Sequence, residues 1–199
     1  MMVPLAVWFL LVRYRRCVKV TLDRLDPTGG DRSDLITFLT GNEWPFHVRT
    51  HLTRADVERS IDEGAYHDGA HDTFWVHHVE HGRIGIVRLE DLEDPTPLFD
   101  LRLDARFRGK GWGTAALHAT TRYLFTTRSE LTRFEGQTRE DNIAMRKVFL
   151  RCGWLKEAHY RESWPIEGAT PVASVAYGVL RRDWESGETT GFEWQDVAL

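Results

Sequence analysis

The clearest chemical signal in the chain is a six-residue stretch: Arg108, Gly109, Lys110, Gly111, Trp112 and Gly113. Glycine at every second position lets a main chain come close to a ligand, and Arg108 and Lys110 bring full charges suited to phosphate oxygens. The run Leu98-Phe99-Asp100-Leu101-Arg102-Leu103 precedes it and has the alternation of a strand. Ala116, Leu117, Thr120, Tyr123 and Leu124 follow on one helical stripe. A strand, a glycine-rich turn and a helix start make an anion site, because successive N–H groups and the positive helix end face the ligand.

Three readings of that turn compete. It could be a tight connection that binds nothing. It could be a dinucleotide loop, since Gly111-x-Gly113-x-x-Ala116 fits the short fingerprint. Such a fold wants an acid about 20 residues on, at the end of the next parallel strand. Glu135 lies near that distance, but a helical segment with its own signature follows it. A Walker loop is excluded, because no Gly-Lys-Ser/Thr occurs. The third reading is a pyrophosphate loop of the form Arg/Gln-x-x-Gly-x-Gly/Ala, here Arg108-x-x-Gly111-x-Gly113. In this the chain resembles the GNAT (Gcn5-related) N-acetyltransferase superfamily. A second block agrees: Glu140-Asp141-Asn142-Ile143-Ala144, Lys147, Phe149 and Cys152-Gly153-Trp154 are similar to the family's N-x-x-A…(K)-x-G-F element. The segment from Ala176 to Trp184 is similar to the last strand of the RimJ/RimL-like branch.

The resemblance implies an α+β fold. Its centre is a mostly antiparallel sheet of six to seven strands, splayed between the fourth and fifth and flanked by about four helices. It also implies acetyl-CoA as co-substrate, a primary amine as acceptor (a protein N-terminus or a small molecule) and direct attack in a ternary complex. A non-catalytic acyl-CoA sensor on the same fold is the alternative. By resemblance, Leu101, Arg102 and Leu103 grip the pantetheine arm and the carbonyl through main-chain atoms. Arg108, Gly109, Lys110, Gly111, Trp112, Gly113 and Thr114 hold the diphosphate, with Lys147 adding charge, and Asn142 meets the pantetheine or caps a helix, or does both. Many members protonate the leaving thiolate with a tyrosine seven residues after that asparagine; here the position is Phe149, which has no proton to give.

The general base has several candidates. Asp100 lies on the central strand, Glu135 on its neighbour, and His47 in the segment Asn42-Glu43-Trp44-Pro45-Phe46-His47. Histidine as a class titrates near neutrality, and a buried carboxylate can be tuned to match. Water could also serve. Trp44, Phe46 and Gln137 are the candidates for the acceptor pocket.

Elements must position these groups within 199 residues, a length that suits one domain. A hydrophobic share of 42% is enough for an ordinary core, and a net charge of −4 argues against a general nucleic-acid binder. Cys17 and Cys152 have no metal or redox spacing, His67 and His71 lack a third ligand, and no metal is expected. Two cysteines suit a reducing cytoplasm. Residues 1–17 read as a non-catalytic extension whose ten-residue apolar run is too short to span a bilayer. Residues 18–184 form the catalytic domain, and 185–199 an acidic tail. A homodimer is one assembly the sequence permits. Strands are expected at 18–22, 72–80, 83–89, 98–103, 132–138, 154–164 and 172–181, with a loop over 165–171. Helices are expected at 31–39, 54–65, after the glycine turn, and at 143–152. Thr53-x-x-Asp56 is a capping box, and the acidic loop at 90–95 could border the acceptor entrance.

Overall fold

The computed structural model describes residues 20–194, so the extension at 1–17 and the last five residues of the tail lie outside the described residues. Four strands, β1 (Val20–Arg24), β2 (Asp72–His78), β3 (Gly82–Glu90) and β4 (Leu98–Leu103), form one antiparallel sheet in that order. Three more, β5 (Arg133–Arg139), β6 (Leu155–Ile166) and β7 (Ala169–Leu180), form a second in the order β5-β7-β6. The sheets touch where the Glu135 N–H donates to the Pro97 carbonyl at 3.1 Å, and beyond that bond β4 and β5 part. The expected splay between the fourth and fifth strands is therefore present.

Five helices are found among the described residues: α1 (Arg32–Thr40), α2 (Arg54–Asp62), α3 (Trp112–Thr127), α4 (Ile143–Arg151) and the short α5 (Arg181–Ser186). Period-2 alternation sends β2 and β3 side chains to two cores. Trp75 and Ile86 pack with Leu35, Leu39 and Val57 of α1 and α2. Phe74, Val76, Val87 and Leu89 pack with Ala116, Leu117 and Leu124 of α3. At α2 the Thr53 hydroxyl accepts from the Asp56 N–H while the Asp56 carboxylate accepts from the Thr53 N–H. The helix stops at Asp62, three residues before the expected end, and Gly64 follows at φ 83°.

Two connections differ from expectation. The turn between β2 and β3 spans residues 79–81, not a His81-Gly82 pair; His78 faces Gly82 in the ladder, and Gly82 takes φ 69°, which suits a three-residue hairpin loop. The expected loop over 165–171 is absent. Strands β6 and β7 continue as a ribbon in which Ile166 pairs with Ala169. Pro165 sits on an edge strand, and Pro171 lies beyond the last residue that β5 pairs, so neither removes a ladder bond that the sheet needs. The acidic tail also begins later, because Glu185 and Ser186 belong to α5.

Where β4 and β5 separate, aromatic rings fill the wedge. A Cβ on Gly136 would lie 2.6 Å from a Phe99 ring carbon and 2.7 Å from one of Phe149. Gly136→Ala is expected to destabilise the fold by about 1–3 kcal/mol and lower Tm by about 2–12 °C in a thermal melt. An unchanged melt would show that the rings can yield.

Candidate active site

The stretch 108–114 folds as an open cradle. Gly109 and Gly111 take φ 74° and 87°, values that a side chain resists, and Gly111 caps α3, which starts at Trp112. The main-chain N–H groups of Gly109, Lys110, Gly111, Trp112 and Gly113 meet no acceptor among the described residues. Gly109, Gly111, Gly113 and Thr114 line a 530 Å³ cavity, into which the α3 N-terminus opens. The Thr114 hydroxyl is buried there without a partner. A diphosphate needs donors of this kind, so the cradle fits the one implied by the sequence.

Strand β4 forms the back wall. The Asp104 N–H donates to the Ile84 carbonyl, so even-numbered residues of the strand turn their main-chain groups toward β3. Odd-numbered ones turn theirs toward the gap, as the Pro97 carbonyl does. Leu101 and Leu103 thus turn main-chain groups toward the cleft. Arg102 does not: its main chain is spent on β3, and what it offers the cleft is its side chain.

Several cations expected to meet phosphate have other tasks. Arg108 donates from Nε to the Leu103 carbonyl at 2.8 Å and from Nη2 to the Glu43 carbonyl at 2.7 Å. With the Ala105 N–H on Asn42 at 3.0 Å, it buckles the 42–47 loop to the end of β4. Lys110 and Trp112 line neither cavity described here; Trp112 packs against His78, with ring centroids 4.2 Å apart. On α4, by contrast, Lys147 lines the cavity together with Arg151, one turn on, and neither pairs with a carboxylate among the described residues. Sequence reasoning missed Arg151, although its four-residue spacing from Lys147 on a helix was a usable signal.

A second cavity of 430 Å³ adjoins the first. The two share Phe46, His47, Leu101, Arg102, Asn142 and Met145 as common wall. Asn142 caps α4, accepting from the Met145 N–H at 3.1 Å while its amide donates to the Thr138 hydroxyl at 3.0 Å. Gln137 and Phe46 line this second cavity. Trp44 lines only the first; it is 2% exposed, and its ring lies 5.2 Å beneath the Arg102 guanidinium and 5.1 Å from that of Arg108. Of the acidic loop only Glu90 reaches the cavity, where it is paired with Arg88 at 2.6 Å.

Two of the three candidate bases meet beside the common wall, to which His47 belongs, whereas Asp100 lines only the smaller cavity. His47 Nε2 lies 3.0 Å from Asp100 Oδ1, the side chains being 28% and 18% exposed. The other Asp100 oxygen accepts from Arg102 Nε at 2.8 Å. Burial alone would push the Asp100 carboxyl up, but Arg102, His47 and Arg88 together outweigh it and hold it well below the ordinary carboxylate range. A carboxylate fixed in its ionised form holds the proton of the ring on Nε2 and leaves Nδ1 as the acceptor. Nδ1 is buried and has no partner. Glu135 is not brought to the cleft: it lines neither cavity and is tied to Arg133 at 2.7 Å. Away from both cavities, His78, Glu80 and His81 place ligand atoms within 4.8 Å of one another, but His78 Nδ1 already accepts from the Glu80 N–H.

A family profile described as the acetyltransferase (GNAT) domain matches residues 19–154 of this chain. The chain belongs to the GNAT acetyltransferase family. It is therefore an N-acetyltransferase with acetyl-CoA as co-substrate. A search of curated proteins finds no match. Among solved structures, the chain is similar to spermidine N-acetyltransferase SpeG from Vibrio cholerae in complex with CoA and spermine, at 19% identity and TM-score 0.68, covering 84% of this chain and 98% of that one. A mutant form of the spermidine/spermine N-acetyltransferase SpeG from the same organism gives 18% identity and TM-score 0.68, with 85% and 98% covered. A dodecameric SpeG structure gives 18% and 0.66, with 83% and 96% covered. At these identities the likeness establishes the fold alone. No described helix is long and apolar enough to cross a membrane.

As a GNAT member the chain departs from the common pattern at Phe149. The ring is fully buried and stacks on Tyr177 at 4.6 Å, and its outer atom would lie 2.8 Å from a Cβ on Gly136. Tyr177 itself is 2% exposed, with its hydroxyl accepting from Arg146 Nε at 3.3 Å.

Proposed function

We propose that the chain acetylates a primary amine by direct attack on acetyl-CoA in a ternary complex, with His47 as general base and Asp100 as the group that orients it. The observation carrying this reading is the 3.0 Å contact between them, with His47 on the wall common to both cavities and Asp100 behind it in the smaller one. The coenzyme would lie in the larger cavity, its diphosphate on the N–H groups of 109–113 with Thr114, Lys147 and Arg151, and its arm along Leu101, Leu103 and Asn142. The amine would enter through the smaller cavity, past Phe46 and Gln137. His47 Nδ1 takes the proton from the ammonium, the nitrogen attacks the thioester carbon, and the C–S bond breaks. As that bond breaks the nitrogen gives up its second proton, and with Phe149 in place of a tyrosine this proton reaches the leaving thiolate through water; a thiol pKa of about 8.5 makes the thiolate a tolerable leaving group near neutrality.

A primary-amine acceptor agrees with the spermine and spermidine named for the structural neighbours. We place the chain near the RimJ/RimL-like branch on the segment from Ala176 to Trp184, its domain at 18–184 and its compartment as cytoplasmic on cysteine usage. Self-association is part of this reading, with a homodimer as the smallest assembly. The test is a thiol-release assay with acetyl-CoA and a panel of amines, checked by mass spectrometry. Steady release that depends on the amine, with a matching acetylated product, is expected. Acetyl-CoA binding without release would instead identify a sensor.

A further inference from the structure

The acceptor cavity is not built for a polycation. Its wall carries Arg49, Arg88 and Arg102 against Glu90 and Asp100. Both carboxylates are committed: Glu90 to Arg88 at 2.6 Å, and Asp100 to Arg102 at 2.8 Å and His47 at 3.0 Å. A second ammonium, such as a polyamine presents, finds no uncommitted carboxylate on that wall. Arg49 is tied to Asp56 at 3.1 Å, and what is left over is a donor. Arg102 donates from Nε to Asp100, yet its Nη1 is buried with no partner. A buried donor on a charged group is costly to leave unpaired, and an anion on the ligand would satisfy it.

The distances also limit that ligand. His47 and Arg102 sit on the two oxygens of one carboxylate, so the imidazole and the guanidinium are neighbours on the cavity wall. One small ligand that carries both an amine and an anion is suited to meet the two. Most of the remaining lining is apolar, Val48, Leu52, Phe99 and Trp164 among it, with Gln137, Thr138 and Asn142 as the polar exceptions.

We infer that the acceptor is a small amino acid with an apolar side chain, its carboxylate recognised by Arg102 and its amine presented to His47. This rests on the acetyl-transfer reading above and narrows its substrate class. The experiment compares kcat/KM for phenylalanine, phenylalaninamide, phenethylamine, a Phe-Ala dipeptide and spermidine. Phenylalanine should exceed its carboxamide and phenethylamine by about 10- to 100-fold, chiefly through KM, the range expected for a hydrogen bond between charged groups. In Arg102→Gln that ratio should fall toward one, and Arg102→Lys should restore part of it. A wild-type ratio near one, a preference for spermidine or the dipeptide, or a ratio that survives Arg102→Gln overturns the inference and leaves acetyl transfer standing. Absence of release with every amine would remove the acetyl-transfer reading and this one with it.

Discussion

Replacing His47 by Asn should lower kcat by about 10²- to 10⁴-fold, the range that a positioned general base supplies. The effect should fall on kcat more than on the KM for acetyl-CoA, because the ring's unpartnered nitrogen serves the proton and not the coenzyme's phosphates. Asp100→Asn should also cost about 10²-fold or more in kcat, by a different route. An amide no longer fixes which ring nitrogen carries the proton, and it leaves Arg102 and Arg88 without their shared counter-charge. That variant should therefore lose stability too, by about 3–5 kcal/mol, whereas His47→Asn should melt nearly as the wild type does. The pH dependence bears on Asp100. The folded-state value of Asp100 is depressed, so its contribution to stability is present above the ordinary carboxylate pKa and is lost only as pH falls through its own lower value. Asp100 thus stays ionised across the working range and gives no limb there. A kcat that stays near the wild-type value in His47→Asn would take His47 out of the role and leave water as the base.

The parts of this site that could be read from the sequence are the local ones. The β4 strand matches its expected bounds, and the glycine turn leads into α3 as read, because strand alternation, glycine spacing and a helical stripe act over a few residues each. The pairing of His47 with Asp100 could not be read, since the two are 53 residues apart and meet only when the 42–47 loop folds onto β4. Each was a candidate alone; contact makes them one unit. Arg108 shows the opposite case. Its type and place suggested a phosphate ligand, yet two main-chain carbonyls claim it, one of them 65 residues away. Charge is visible in a sequence, whereas a competing acceptor is not. The prolines at 165 and 171 misled for a related reason: a proline weakens a strand only where its missing N–H would have been used, and edge position is a property of the finished sheet.

Gly111→Asp is expected to weaken acetyl-CoA binding by about 100-fold or more, and Gly111→Ala by about tenfold, on the free-energy scale where each tenfold is about 1.4 kcal/mol. The difference between the two carries the argument. A Cβ at Gly111 would meet nothing within 4 Å, so neither variant suffers a steric clash. Both pay the strain of a non-glycine residue at φ 87°, of the order of 1–3 kcal/mol, which tends to rotate the N–H groups out of the cradle. Aspartate adds a negative charge at the mouth of a helix N-terminus, where the diphosphate would otherwise be the anion. That added part is electrostatic, so it should shrink in high salt, while the alanine effect should not. Calorimetry with acetyl-CoA at low and high ionic strength reads both, and circular dichroism confirms that each variant is folded. If aspartate and alanine weaken binding equally, no phosphate lies at the turn. If neither weakens it, the open amides of 109–113 are not where the coenzyme is held, and the placement of the acceptor beside His47, which is reckoned from that end of the cleft, loses its anchor.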